Sequence, residues 1–226
     1  MNASGIQSFP ATIPAGKVDL RGELTVPPAA RGLVGFAHGS GSGRRSPRNQ
    51  AVAHYLQGKG LGTLLFDLLT KEEERLESQT RHLRFNIPLL GERLIKATAW
   101  AGSQAVLQGL PIGYFGASTG AAAALVAAAE LGDGIRAVVS RGGRPDLAGN
   151  ALPKVKAATL LIVGGHDTQV IELNVKAHSA LCCEKQLTIV PGATHLFEEP
   201  GALERVAQFA AEWFLEHLCT AKTVHP

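Results

Sequence analysis

The sequence predicts an α/β fold in which a mostly parallel, doubly wound sheet carries helices on both faces. Three observations predict it. Short runs of aliphatic and β-branched residues alternate with stretches of helical periodicity, and several of those runs end directly in glycine-rich loops. No internal repeat or linker of domain-separating length interrupts the alternation, so residues 1–226 are expected to form a single domain. With 45% hydrophobic and 18% charged residues, the composition is that of a globular protein.

Taken in order, Val18–Val26 alternates in polarity and ends in Pro27-Pro28, as an antiparallel edge strand does. Leu33–Ala37 is an unbroken apolar run, a buried strand that leads into the loop 38–43. Ser46 and Pro47 read as the N-cap and first residue of a helix ending near Gly58-Lys59-Gly60. Residues 62–67 form the next strand, and the charged segment 71–84, with its Glu72-Glu73-Glu74 run, reads as a solvated helix face or loop. Leu90, Leu94, Ala97 and Ala101 fall at helical spacing. A strand over 110–115 then meets an alanine-rich helix opening near Thr119. Strands at 136–140, 158–163 and 186–190 follow, with a helix at about 170–181 between the last two. The final helix begins near Pro200 and sets Leu203, Val206, Ala210, Trp213 and Phe214 on one broad apolar face. In such sheets the reacting groups collect beyond the carboxyl ends of the strands, where the loops 38–43, 116–120, 141–146, 164–168 and 191–197 all lie. Only residues 141–156 separate the strand ending at Ser140 from the next segment, too few for a cap domain. The site is therefore expected to be shallow, or covered by the charged segment around Leu69 to Pro88.

The chemistry centres on Gly116-Ala117-Ser118-Thr119-Gly120, a Gly-x-Ser-x-Gly pentapeptide between a strand and a helix. A serine on so tight a turn presents its hydroxyl away from the backbone, and the first N–H groups of the helix face the place where negative charge develops in acyl transfer. A serine hydroxyl needs an imidazole to take its proton, and the imidazole needs a carboxylate to fix its tautomer. Of eight histidines, His195 stands past the last strand and before the last helix, where it can overhang Ser118. His54, His82, His178 and His217 fall in or beside helical segments, His225 lies in a tail, and His38 is read as architectural. Asp167, which ends the loop after the strand 158–163, is the expected acid, with Asp146 as runner-up. Asp167 could also cap the helix that follows it. The backbone N–H groups of Ser40 and Thr119 are the expected oxyanion donors, Gly41 being the alternative to Ser40. The loop 38–43 has neither the Lys-Ser/Thr ending nor the spacing of a phosphate cradle.

These motifs resemble those of α/β hydrolases of the dienelactone-hydrolase-like group, along nearly the whole chain: His38-Gly39-Ser40-Gly41, Gly116-x-Ser118-x-Gly120, Gly164 to Asp167, and Gly192-x-x-His195. The chain also resembles hydrolase domains that are sometimes fused to a phosphoribosyltransferase. The resemblance implies an α/β-hydrolase fold with the chain order Ser118, Asp167, His195. One departure stands out: the dienelactone hydrolases that name the group carry cysteine at the nucleophile, where this chain has Ser118. General ester hydrolysis is thereby favoured over activity on dienelactone itself.

The expected function is cleavage of a small soluble carboxylic ester or lactone through an acyl-enzyme, without metal or organic cofactor. Acyl transfer on the same residues, and a non-catalytic binding protein on the same scaffold, are the alternatives. Arg44, Arg45, Arg48, Arg141 and Arg144 cluster near the active rim, and Arg141 and Arg144 are the candidates for holding an anionic substrate group. Pairing with Asp67, Asp146 or the glutamate run is the alternative role for these arginines. A net charge of +3 with no basic block argues against nucleic acid as a partner. The start of the chain lacks a secretory pattern, and no apolar run is long enough to span a bilayer. Three cysteines without disulfide or zinc spacing fit reduced thiols in a cytoplasmic protein, as monomer or homodimer.

Overall fold

Residues 5–219 are described by a computed structural model, so His225 lies outside the described residues. The strands are β1 (Gln7–Ala15), β2 (Val18–Val26), β3 (Leu33–Ala37), β4 (Gly62–Phe66), β5 (Ile112–Ala117), β6 (Ala137–Arg141), β7 (Ala158–Gly164) and β8 (Lys185–Val190). They form one sheet in the order β1-β2-β4-β3-β5-β6-β7-β8. Strands β3 to β8 run parallel, while β2 pairs antiparallel with both β1 and β4. This is the α/β-hydrolase architecture.

Helices cover both faces, and the alternation of side chains along each strand decides which layer each residue joins. Phe36, Phe115, Val139 and Ile162 pack under α1 (Pro47–Gly58) and α6 (Ala202–Cys219), against Val52, Leu56, Val206, Ala210 and Phe214. Leu64, Tyr114, Val138 and Leu161 face the other layer, built from α3 (Ile87–Gly102), α4 (Thr119–Leu131) and α5 (Thr168–Ala180). Ala121, Ala122, Ala123 and Ala124 are fully buried. Methyl side chains let α4 approach the central strand closely, which plants its N-terminus on the end of β5.

Two expectations are corrected. Val18–Val26 is antiparallel but interior, because Gln7–Ala15 pairs along its whole length and takes the edge. The edge position explains how β1 accommodates Pro10 and Pro14, whose missing N–H groups would break an interior ladder. The charged segment is also more than a solvated face. Thr70 and Glu73 cap each other's backbone at the start of α2 (Lys71–Thr80). Glu73 then accepts from the buried Arg93 on α3, whose Nη1 also donates 2.6 Å to Leu68 O. Glu77 is buried and accepts from Leu83 N at 2.6 Å and from Arg84 Nε. The segment 141–156 holds 3-10 turns over Pro145–Lys154, which pack on α4 and α5.

Candidate active site

Strand β5 ends where α4 begins, and Ser118 occupies the turn between them with φ 50° and ψ −123°. A positive φ is costly for a residue with a Cβ, and here neighbours fix it from several sides. Ser118 N donates to Arg141 O at 3.3 Å, while Ser118 O accepts from Ala121 N at 3.1 Å and Arg144 N at 3.0 Å. Gly120 makes the turn possible: a Cβ there would lie 2.1 Å from Ala37 O and 2.5 Å from His38 O. The loop after β3 therefore presses directly on the turn, and a Cβ on its Gly39 would come within 2.9 Å of Ser118 Cβ.

The loops after β7 and β8 dock on each other in the same way. Gly164 has the carbonyls of Ala193 and Thr194 each 2.5 Å from where its Cβ would be, and His166 N donates to Ala193 O at 2.9 Å. This docking brings His195 Nδ1 to 2.6 Å from Asp167 Oδ2. Asp167 precedes α5 but makes no side-chain cap to it, and among the described residues its carboxylate is bonded to the imidazole. With Nδ1–H donating to Asp167, Nε2 of His195 is left with its lone pair free to accept a proton. The His195 loop packs on the residue following Arg141: a Cβ on Gly142 would meet His195 O at 2.9 Å and His195 Nδ1 at 3.5 Å. Ser118 thus bonds to Arg141, and the His195 loop packs on the glycine that follows it. Asp146, the other acid considered, is engaged elsewhere, accepting from Nε and Nη2 of Arg144 at 2.8 Å each.

On the other side of Ser118, Ser40 Oγ and Thr119 Oγ1 lie 3.1 Å apart, tying the β3 loop to the first residue of α4. Thr119 opens the helix, so its N–H has no intrahelical acceptor. Gly41 is exposed at φ 67° with nothing within 4 Å of its Cβ position, farther from the turn's packing than Ser40. His38 is buried, with Nε2 accepting from Leu68 N at 2.9 Å and Nδ1 donating to Gly39 O at 3.0 Å. Burial lowers its pKa, which keeps the imidazole neutral and able to join the loops after β3 and β4.

Beside this turn opens a cavity of about 730 Å³, lined by Ser40, Arg48, Thr119, Leu69, Glu74 and Arg84 among others. The segment expected to cover the site does form one wall of it. Of the rim arginines, Arg44 pairs with Asp67, Arg48 with Glu198 at 2.7 Å, and Arg144 with Asp146. Arg141 is buried and has neither Nε nor Nη1 satisfied. Sequence reasoning did not single out Glu198 and Glu199. The latter accepts from Thr194 N at 3.0 Å, so both help to hold the His195 loop, and carboxylates beside a histidine turn are the signal that could have found them. Apart from this rim, Glu184, Glu216 and His217 bring potential metal-ligating atoms within 4.8 Å of one another, next to the start of β8 and hence at the opposite edge of the sheet.

No family model matches the chain. A solved dienelactone hydrolase from Anabaena variabilis is 57% identical and superposes with a TM-score of 0.92 over 95% of this chain and 99% of that one. The esterase Est1E from Butyrivibrio proteoclasticus, solved with ferulic acid, shares the fold at 19% identity and a TM-score of 0.79, covering 93% of this chain and 100% of its own. A dienelactone hydrolase-like promiscuous phosphotriesterase from metagenomic libraries shares it at 17% identity and 0.77, over 94% and 99% of the two chains. Curated Mycobacterium tuberculosis proteins named as phosphoribosyl transferases are 60% identical over 205 residues, which is 91% of this chain and 45% of theirs. The chain therefore spans about half the length of the curated relatives it matches. No helix among the described residues is long and apolar enough to cross a membrane. With more than half of its residues shared along essentially the full length of the Anabaena enzyme, on the same arrangement of strands, the chain belongs to the dienelactone hydrolase family of α/β hydrolases.

Proposed function

We propose that the chain cleaves a small soluble carboxylic ester or lactone through an acyl-enzyme formed on Ser118. The observation that carries this reading is the 2.6 Å contact between His195 Nδ1 and Asp167 Oδ2, in a loop packed one residue away from the partner of Ser118. Asp167 holds the imidazole so that Nε2 takes the Ser118 proton as Oγ attacks the carbonyl carbon. The tetrahedral oxyanion is received by the backbone N–H groups of Ser40 and Thr119. Collapse expels the alcohol, which leaves with the proton from His195, and the same imidazole then activates water to release the acid. The cavity beside the turn places the charged side chains of Arg48, Glu74 and Arg84 among its lining, which suits a substrate that carries polar groups. The three cysteines are free, in keeping with work in the cytoplasm.

A fluorophosphonate probe tests the nucleophile. Stoichiometric labelling at Ser118, lost in Ser118→Ala, is expected; labelling elsewhere, or none in protein that hydrolyses p-nitrophenyl acetate, contradicts it. Adding methanol during turnover distinguishes hydrolysis from acyl transfer through the ester-to-acid product ratio.

A further inference from the structure

Two turns into α5, the helix that Asp167 precedes, Asn174 lies fully buried at 0% exposure. Its Nδ2 donates to Gly143 O at 3.0 Å and to Val170 O at 2.8 Å, while its Oδ1 is buried with no hydrogen-bond partner among the described residues. Asparagine is a poor helix former, and an orphaned amide oxygen adds a desolvation cost. Leucine, of similar size, would occupy the position without either. Among the described residues, the amide's one hydrogen bond outside its own helix goes to the Gly143 carbonyl.

Gly143 is the middle of three residues that meet the three elements of the site in turn. Gly142 packs on the His195 loop, with His195 O 2.9 Å from its Cβ position. Gly143 is clamped between β6 and α4, where a Cβ would stand 2.0 Å from Ser140 Oγ and 2.6 Å from Ala121 Cβ. Arg144 N donates to Ser118 O at 3.0 Å. Residues 142–144 therefore touch the histidine loop, the acid's helix and the Ser118 turn in that order. The link to the acid's helix is the side-chain hydrogen bond from Asn174.

We propose that Asn174 is a positioning residue: it locks residues 142–144 and so sets the Ser118 turn at a fixed distance from the Asp167–His195 pair. This role rests on Ser118 and His195 exchanging a proton. Such a step falls steeply with misplacement, and an error of about 1 Å is enough to cost about 100-fold. Asn174 touches no reacting atom, so its removal slows the chemistry without weakening substrate binding.

The test uses Asn174→Leu, which keeps the volume and removes the donor, with Asn174→Ala in reserve if the leucine variant does not fold. Leu181→Ala, at the far end of α5 and 1% exposed, is the control for lost packing alone. With p-nitrophenyl acetate and concentrations set by folded protein, Asn174→Leu is expected to lower kcat by about 10- to 100-fold and leave KM within about threefold. Leu181→Ala should lower the thermal midpoint and keep kcat within about threefold. An unchanged kcat in Asn174→Leu, or an equal loss in Leu181→Ala, makes the role structural and overturns the proposal. In the His195→Ala background Asn174→Leu should add no further loss, because no imidazole remains to be placed; a loss that multiplies overturns it too. Amide hydrogen exchange reads the same lock without turnover. Faster exchange at Ser118 and Arg144 with β4 unchanged is expected, and unaltered exchange at both residues contradicts the proposal. Wild-type protein that hydrolyses no ester, together with that exchange pattern, would sink the hydrolase reading and leave the lock standing.

Discussion

The two sides of the rim are held by different forces. On the side of β5 to β8, backbone packs on backbone: Gly120 against the Ala37 and His38 carbonyls, and Gly164 against those of Ala193 and Thr194. On the side of β4 and α2, charged side chains hold the structure: Arg93 on Glu73, Arg84 on Glu77, and Arg44 on Asp67. Backbone contact fixes positions to a fraction of an ångström and leaves no room for a side chain, which suits groups that must exchange a proton. Ion pairs on flexible side chains hold less rigidly, can be retuned one at a time, and weaken with salt where they are exposed. The difference teaches that the half carrying Ser118, Asp167 and His195 is specified by glycines, whereas the cavity wall is specified by charge.

Five substitutions probe that contrast. Asp167→Asn should have the largest effect, lowering kcat on a p-nitrophenyl ester by about 10⁴-fold with little change in KM, because the amide favours the wrong imidazole tautomer. A loss within tenfold would mean that the 2.6 Å contact to His195 is not what orients the base. Gly120→Ala comes next, since its methyl would stand 2.1 Å from a carbonyl oxygen; urea unfolding should show a loss above about 4 kcal/mol, or no folded protein. Gly58→Ala, at the end of α1 with nothing within 4 Å, should stay within about 1 kcal/mol of wild type. Equal costs at the two glycines would erase the distinction.

On the charged side, Arg93→Met should destabilise by about 2–3 kcal/mol, because Glu73 and the Leu68 carbonyl lose a buried donor while Glu73 stays 25% exposed. It should also raise KM more than it lowers kcat, as the wall loosens around an intact proton-transfer site. The smallest effect is expected from His38→Gln and appears as a pH dependence. The buried imidazole takes up a proton less readily in the native state than in the unfolded chain, where it titrates near about 6.5. Native stability should therefore fall as pH drops below that value, by at most about 1.4 kcal/mol per unit for this group. Removing the imidazole should flatten that part of the thermal-midpoint curve; an unaltered curve would mean that His38 is not the group responsible.

What could be read in the sequence follows the same division. The contact between Asp167 and His195 and the turn that carries Ser118 could be expected from the sequence because each of these residues sits at a fixed offset from an apolar strand, and strand ends converge by topology. The strand β1 was not, because two prolines and a half-exposed pattern hide it until its edge position is known. Glu77 could not be told from its solvated neighbours, since burial of one carboxylate in a charged run depends on Arg84 and Leu83 folding back over it. Nor does the sequence distinguish Arg141 from Arg144. They differ in that Arg141 is buried at the end of β6 whereas Arg144 meets Asp146 across a turn.

The account depends on Ser118 and His195 acting as a unit, and kcat for Ser118→Ala, His195→Ala and the double variant tests that most directly. Each single substitution should cost many orders of magnitude, on the order of 10⁶-fold, and the double variant little more than either alone. Losses that multiply in the double variant would show that the two residues act independently, and the proton-transfer pair would have to be sought elsewhere.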